Sequence, residues 1–244
     1  MAVLIVSTLC FFLRFNFLTD PVFSHRCSPV QFAGPARYRP CPTDVASLPH
    51  IHAVFISHNH YDHLDVATVR QLNARFPDLQ WHVPQGLAAW MVRTGRVSAE
   101  RITEQTWWET VSISGSQDIS CTFTPAQHWG KRSVTDNNKA LWGSWCIRGS
   151  HSNFFFSGDT GYCSVFKEIG ERHGPFSLAA IAIGAYEPRD FMAPQHVNPE
   201  EAVQIHRDIR SARSLGIHWG TWPLTYEPCV NFLWRSVVKT PAPC

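Results

Sequence analysis

Ala53-Val54-Phe55-Ile56-Ser57-His58-Asn59-His60-Tyr61-Asp62-His63 decides the reading of this chain. The apolar run from Ala53 to Ile56 reads as a buried strand. Four metal-capable side chains then follow within six residues. Packing does not account for three imidazoles and a carboxylate delivered to one point. Alternate residues of an extended segment point the same way, so His58 and His60 can face one ion together. The chain must then turn, and the adjacent Asp62 and His63 can face a second ion. Histidine nitrogen with carboxylate oxygen suits zinc, and also iron or manganese. The 13 histidines of this 244-residue chain make stray pairs common, but not such a cluster at a strand end.

Working outward, strands and helices alternate. Strands are expected at 15–18, 53–57, 80–83, 120–124, 143–148, 153–157, 178–183 and 214–217. Helices are expected at 65–75, 87–94 and 163–172. Residues 24–50 hold five prolines and read as a surface loop. The best-marked helix starts at Asn198, with Pro199 at the first helical position and Glu201 where a capping-box acid belongs. Ala202, Val203, Ile205 and Ile209 supply its apolar face. His58, His128, Asp159 and His218 each lie at or just past an expected strand end. Loops converge there in α/β proteins, so four strands ending in metal-type residues point to one ligand site.

Composition fits one globular domain over 1–244, with 44% hydrophobic and 16% charged residues. The formal charge of +2 gives no support for a nucleic-acid footprint. The eight cysteines form no C-x-x-C pair and read as free thiols of a reducing compartment. Met1 to Leu18 is apolar but interrupted by Arg14 and Asn16; a buried strand is the favoured reading over a signal peptide.

Taken together, His58, His60, Asp62, His63, His128, Asp159 and His218 resemble the metallo-β-lactamase superfamily. The likeness spans about residues 15–222, with the H-x-H-x-D-H motif first and the remaining ligands in the family's order. It implies an α/β fold, the four-layered αβ/βα sandwich. Further strings narrow it: S-H-N-H-Y-D-H-L-D, Q-H-W-G-K-R, F-F-S-G-D-T-G-Y, I-G-A-Y-E-P-R and Q-H-V-N-P-E-E-A are similar to the N-acyl-phosphatidylethanolamine-hydrolysing phospholipase D family. That family implies a binuclear zinc phosphodiesterase releasing N-acylethanolamine and phosphatidic acid. His58, His60 and His128 would hold one zinc, Asp62, His63 and His218 the other, and Asp159 both. Two cations about 4 Å apart make bound water acidic near neutral pH.

Further roles follow from the same resemblance. Asp62, Asp159 and His196 are the catalytic candidates. Tyr61, Gln195 and His196 are expected to contact substrate, and His196 to bind phosphate or protonate the leaving group. Asp20 is expected to orient a ligand histidine. Lys131 and Arg132 are expected to meet lipid head groups or a bile-acid-like amphiphile. The expected partners are a phospholipid at a membrane surface and a second copy of the chain, with no nucleic acid. The implied location is intracellular and peripheral, on the cytosolic face of the Golgi or another endomembrane, with the cytosol as alternative. Two other readings compete. One is another hydrolase of the same fold, acting on a lactone, thioester or nucleic acid. The other is an inactive truncated partner of a full-length enzyme. Both ends depart from the family pattern, Met1 to Phe17 and Pro223 to Cys244, so incomplete sheet edges are expected there.

Overall fold

The computed structural model describes residues 2–4, 7–12, 15–113, 118–227 and 237–239, with 2–4, 7–12 and 237–239 described by backbone alone. Contacts gather the chain into two compact units. Unit one comprises Met1–Thr106, Trp129–Trp142 and Thr221–Leu224; unit two comprises Trp107–His128, Gly143–Gly220 and Thr225–Cys244.

Unit one is built on a six-stranded sheet in simple sequence order. Its strands are β1 (Ala2–Leu4), β2 (Ser7–Phe12), β3 (Phe15–Thr19), β4 (Ala53–Phe55), β5 (Gln80–Pro84) and β6 (Ile102–Gln105). β1 to β3 form an antiparallel meander, and β3 to β6 run parallel. Ala53, Val54 and Phe55 are all buried, as a continuous apolar run in a parallel sheet should be. Helix α1 (Val66–Arg75) starts where Asp65 accepts from the Thr68 amide. It buries Val69 and Leu72 against Leu18, Ile51, Val54 and Trp81. The helix expected over 87–94 is instead a short α2 (Ala88–Trp90) that widens into a π-helical turn, Met91–Gly95. Arg96 closes it with a left-handed backbone, its amide bonding Met91 O.

Unit two carries a seven-stranded sheet. Its strands are β7 (Thr110–Ser112), β8 (Ser120–Thr124), β9 (Ser144–Arg148), β10 (Asn153–Phe156), β11 (Leu178–Ala182), β12 (Arg213–Ile217) and β13 (Val237–Lys239). β10, β11 and β12 are parallel, and the remaining pairs are antiparallel. Helix α3 (Val165–His173) and helix α5 (Pro199–Asp208) contribute Phe166, Ile169, Ala202 and Ile205 to a core with Phe155, Phe176 and Ile181. The capping box at Asn198 and Glu201 is present, with Pro199 at the helix start. A short helix α4 (Arg189–Met192) precedes α5.

β3 and β12 are interior strands, because β2 pairs with β3 and β13 with β12. The incomplete edges expected at both ends are therefore not located at those two strands. Cys27, Cys41, Cys121, Cys146 and Cys163 are free thiols. Burial pushes Cys27 and Cys146 up to about 12, so neither is a ready thiolate. The side chain of Cys10, with Cys229, Cys244 and Arg14, lies outside the described residues. Among those described, no helix is long and apolar enough to cross a membrane.

Candidate metal centre

In unit one, β4 ends at Phe55 and delivers Ser57 and His58 to a buried position. β3 runs parallel to β4 and ends beside it, with Thr19 opposite Phe55. Asp20 follows at once, and its amide donates to Phe55 O at 2.9 Å. This register places the fully buried Asp20 carboxylate under the histidine loop. Asp20 Oδ1 accepts from Ser57 N at 2.7 Å, and Oδ2 stands 2.6 Å from His63 Nδ1. A carboxylate only accepts, so His63 carries its proton on Nδ1 and turns Nε2 outward as a donor pair. The Ser57 hydroxyl also donates to Asp20 Oδ2 and so can accept from His58 Nδ1, 2.8 Å away. One buried carboxylate therefore sets both ring tautomers. Burial pushes the Asp20 carboxyl above its ordinary value, while His63 and then Ser57 pull it back down.

The spacing of His63 and Asp62 matches shared coordination, while that of His58 and His60 is shorter, at hydrogen-bond distance. His58 Nε2 and His60 Nδ1 are 2.8 Å apart, and His63 Nε2 and Asp62 Oδ2 are 3.3 Å apart. Ligands of one tetrahedral zinc, with bonds near 2.0–2.1 Å, stand roughly 3.3–3.4 Å from one another. Asp20, His58 and His63 also form one cluster with ligand atoms within 4.8 Å. Both Asp20 oxygens are already engaged, so its place is behind the ligands.

Arg132 departs from the sequence expectation. It is half-buried, with Nη1 donating to Asn59 O at 2.8 Å and Leu64 O at 2.6 Å. The guanidinium lies between two rings, 4.1 Å from the Tyr61 centroid and 4.7 Å from that of Trp90. Burial holds it down at about 10, against the pull of Tyr61 and nearby carboxylates. Arg132 thus clamps the 59–64 loop from behind and is not an exposed head-group contact. Tyr61 belongs to the same clamp, its hydroxyl donating to Arg132 O at 2.9 Å. Lys131 is partly exposed.

Unit two brings four residues together around one oxygen. Asp159 Oδ2 lies 3.2 Å from His218 Nε2, 3.9 Å from His196 Nδ1 and 4.0 Å from His128 Nε2. His128, Asp159 and His196 also group with ligand atoms within 4.8 Å. His218 follows β12 directly, in a left-handed turn with φ of 60°. Gly184, past the end of the neighbouring β11, lets that turn approach: a Cβ there would sit 1.9 Å from His218 O. Asp159 follows β10 through Gly158, whose φ is 58°. His128 donates from Nδ1 to Gln195 O at 3.0 Å, leaving Nε2 to face Asp159.

Residues 194–198 are fastened at nearly every backbone polar atom. Pro194 O accepts from Gln127 Nε2 at 2.8 Å, and the Val197 amide donates to Thr160 O at 2.8 Å. The His196 amide donates to Met192 O, and His196 O accepts from Arg189 Nη1, both at 2.8 Å. Arg189 Nη2 reaches Glu201 Oε2 at 2.9 Å, tying the segment to the α5 capping box. The fixed backbone leaves the buried His196 ring beside Asp159. The Gln195 contribution seen here is its carbonyl, while its side-chain amide approaches only Met192 Sδ, at 3.8 Å.

The donor chemistry of both sets suits a metal: imidazole nitrogens with preset tautomers, and carboxylates at ligand spacing. Sequence reasoning missed Ser57, Arg189 and Gly184. A serine just before a histidine motif is a weak cue, and the other two act through contacts distant in the chain.

Comparison with known proteins gives a consistent picture. The profile described as "Beta-lactamase superfamily domain" matches residues 15–219. The chain is 46% identical over 213 residues to N-acyl-phosphatidylethanolamine-hydrolyzing phospholipase D 1 of Caenorhabditis elegans, covering 86% of this chain and 60% of that protein. It is 36% identical over 219 residues to the mitochondrial N-acyl-phosphatidylethanolamine-hydrolyzing phospholipase D of Saccharomyces cerevisiae, covering 86% of this chain and 45% of the yeast protein. The chain thus spans less than two thirds of these relatives' length. Among solved structures, a metallo hydrolase from the archaeon Ignicoccus hospitalis superposes with a TM-score of 0.66 at 16% identity, covering 89% of this chain and 81% of that one. The latter likeness bears on the fold alone: mixed α/β with two sheets.

Proposed function

We propose that this chain, which belongs to the beta-lactamase superfamily, is a binuclear zinc phosphodiesterase. Its substrate would be N-acyl-phosphatidylethanolamine, and its products N-acylethanolamine and phosphatidic acid. The observation that carries this reading is the 46% identity, over 213 residues, to a worm enzyme named for that hydrolysis. His58, His60 and His128 would hold one zinc, Asp62, His63 and His218 the other, with Asp159 serving both. This allocation is the one the family resemblance implies. Bound zinc would supply Lewis acidity toward the phosphoryl oxygens and make water acidic near neutral pH.

The chain's own residues do the rest. Asp20 and Ser57 preset the donor nitrogens of His63 and His58. Water oxygen bonds to phosphorus as the bond from phosphorus to the ethanolamine oxygen breaks. His196, held by its backbone hydrogen bonds, would protonate that leaving oxygen. Tyr61 and Gln195 would line the approach, and Lys131 would meet an anionic amphiphile. A homodimer resting peripherally on an intracellular membrane fits these roles.

Vesicles of N-acyl-phosphatidylethanolamine in phosphatidylcholine test the proposal. Equal amounts of phosphatidic acid and N-acylethanolamine should appear with zinc and cease with a chelator. Cleavage of a generic phosphodiester without attack on the lipid would assign the chain to another substrate of the same fold.

A further inference from the structure

We propose that unit two holds a second ligand site, a cavity beside the C-terminus of α3 that binds a phosphate-type dianion between Arg148, Arg172 and His173. It shares no residue with the metal-type set. His128, Asp159 and His218 follow the C-terminal ends of β8, β10 and β12. The cavity instead takes Ser120 and Asn153, the first residues of β8 and β10. It therefore lies at the opposite end of this sheet.

Strand register explains its lining. Ser120 pairs with Arg148, and Thr122 with both Cys146 and Thr110. Directly paired residues share a face, and so do residues two apart on one strand. One face of the sheet thus carries a row of hydroxyls leading to the Arg148 guanidinium. Thr110 and Thr122 hydroxyls are 2.8 Å apart and can rotate to donate or accept. The last turn of α3 brings Arg172 and His173 over this row. Both are steadied by Trp108: Arg172 lies 4.3 Å from its ring centroid, and the His173 ring stacks 6.3 Å away.

Charge is what calls for a ligand. Arg148 uses Nη2 on His173 O, at 3.3 Å, which answers the partial negative charge of the helix end. Its other N–H groups remain for the cavity. Arg172 pairs with Glu168, but both are well exposed and such pairs contribute little. Burial, and then the two guanidiniums, hold the His173 imidazole below its ordinary value. Three basic groups thus face one space, with no carboxylate among the residues lining it. A tetrahedral dianion would accept from guanidinium, imidazole and hydroxyl together, and charge-assisted bonds of this kind are the strong ones. Size selects further. At about 250 Å³ the cavity falls below the roughly 300–1,000 Å³ of sites for drug-sized ligands. A phosphate group fits this volume. The source is inorganic phosphate or the phosphomonoester head of a phosphatidate.

The test follows the His173 ring by nitrogen–proton correlation in the metal-loaded full chain, assigned by its loss in His173→Gln. Inorganic phosphate in the millimolar range should move this resonance saturably. Arg148→Gln and Arg172→Gln, both at exposed positions, should each weaken the response about tenfold, the loss of one charge-assisted hydrogen bond, while the chain still unfolds cooperatively. Phosphatidylcholine vesicles with and without phosphatidate separate the sources: a shift with phosphatidate vesicles but not with phosphatidylcholine alone identifies the lipid head. A shift with phosphate but not with vesicles identifies the free ion. A resonance that phosphate leaves in place, or that responds as strongly in the two arginine variants as in the wild type, overturns the site.

Discussion

The two units hold their metal-type residues in opposite ways. In unit one, His58, His60, Asp62 and His63 lie in one short loop, and the braces are side chains: Asp20, Ser57 and Arg132. In unit two, His128, Asp159 and His218 come from three separate strand ends, and the braces are mostly backbone: Gln195 O, His196 O and the close approach of Gly184. A local loop can be tuned by single side chains. A set gathered from distant strands depends on the sheet itself. Point substitutions should therefore expose the first set selectively, and the second mainly at its shared centre.

The largest effect is expected at that centre. Asp159 Oδ2 lies within 4.0 Å of three imidazoles, so Asp159→Ala removes the common partner of unit two. Activity on lipid vesicles should fall by about 10³-fold or more, several kcal/mol of transition-state stabilisation. A loss of less than tenfold would show that unit two is not organised around this carboxylate. Next comes the unit-one clamp. Arg132→Ala strips donors from the carbonyls of Asn59 and Leu64 and empties the space between Tyr61 and Trp90. About 3 kcal/mol of stability should go, lowering the thermal midpoint by roughly 6–12 °C. Arg132→Lys should recover little, because an ammonium cannot reproduce the planar, stacked fork.

Asp20→Asn is the finer probe of the same loop. The amide keeps one acceptor but loses the charge that holds His63 Nδ1–H, and zinc affinity should drop about 10–100-fold with folding retained. Competition with a zinc-binding dye measures it; unchanged affinity would remove Asp20 from the site. The smallest effect belongs to Arg189→Gln. It frees His196 O and Glu201 at a partly exposed position, which should cost about 1 kcal/mol in denaturant titration. Zinc content should stay the same, since no proposed ligand loses its partner.

The same contrast governs what the sequence discloses. The unit-one ligands are legible because contiguity and the strand period are local facts. So is the start of α5, where Asn198, Pro199 and Glu201 each do what their chemistry favours. The sequence suggests Asp20 as an orienting residue, and the register of β3 against β4 places it under His63. A Lys-Arg pair in a loop reads as solvated, whereas Arg132 is held by the carbonyls of Asn59 and Leu64. Its burial comes from carbonyls far upstream, which no local pattern encodes. β7 escaped notice because a short edge strand with exposed Thr110 and Ser112 carries no apolar signal. β6 is defined by its pairing with β5 more than by its own polar sequence.

The proposed function requires two zinc ions per chain. Metal analysis of purified chain, after equilibration with zinc and removal of loosely bound ion, tests it directly in wild type, Asp62→Asn and Asp159→Ala. The account predicts two zinc per chain in the wild type, close to one in Asp62→Asn, and one or none in Asp159→Ala. Wild-type protein that is folded but retains no zinc, or an Asp159→Ala protein that still binds two, would contradict it.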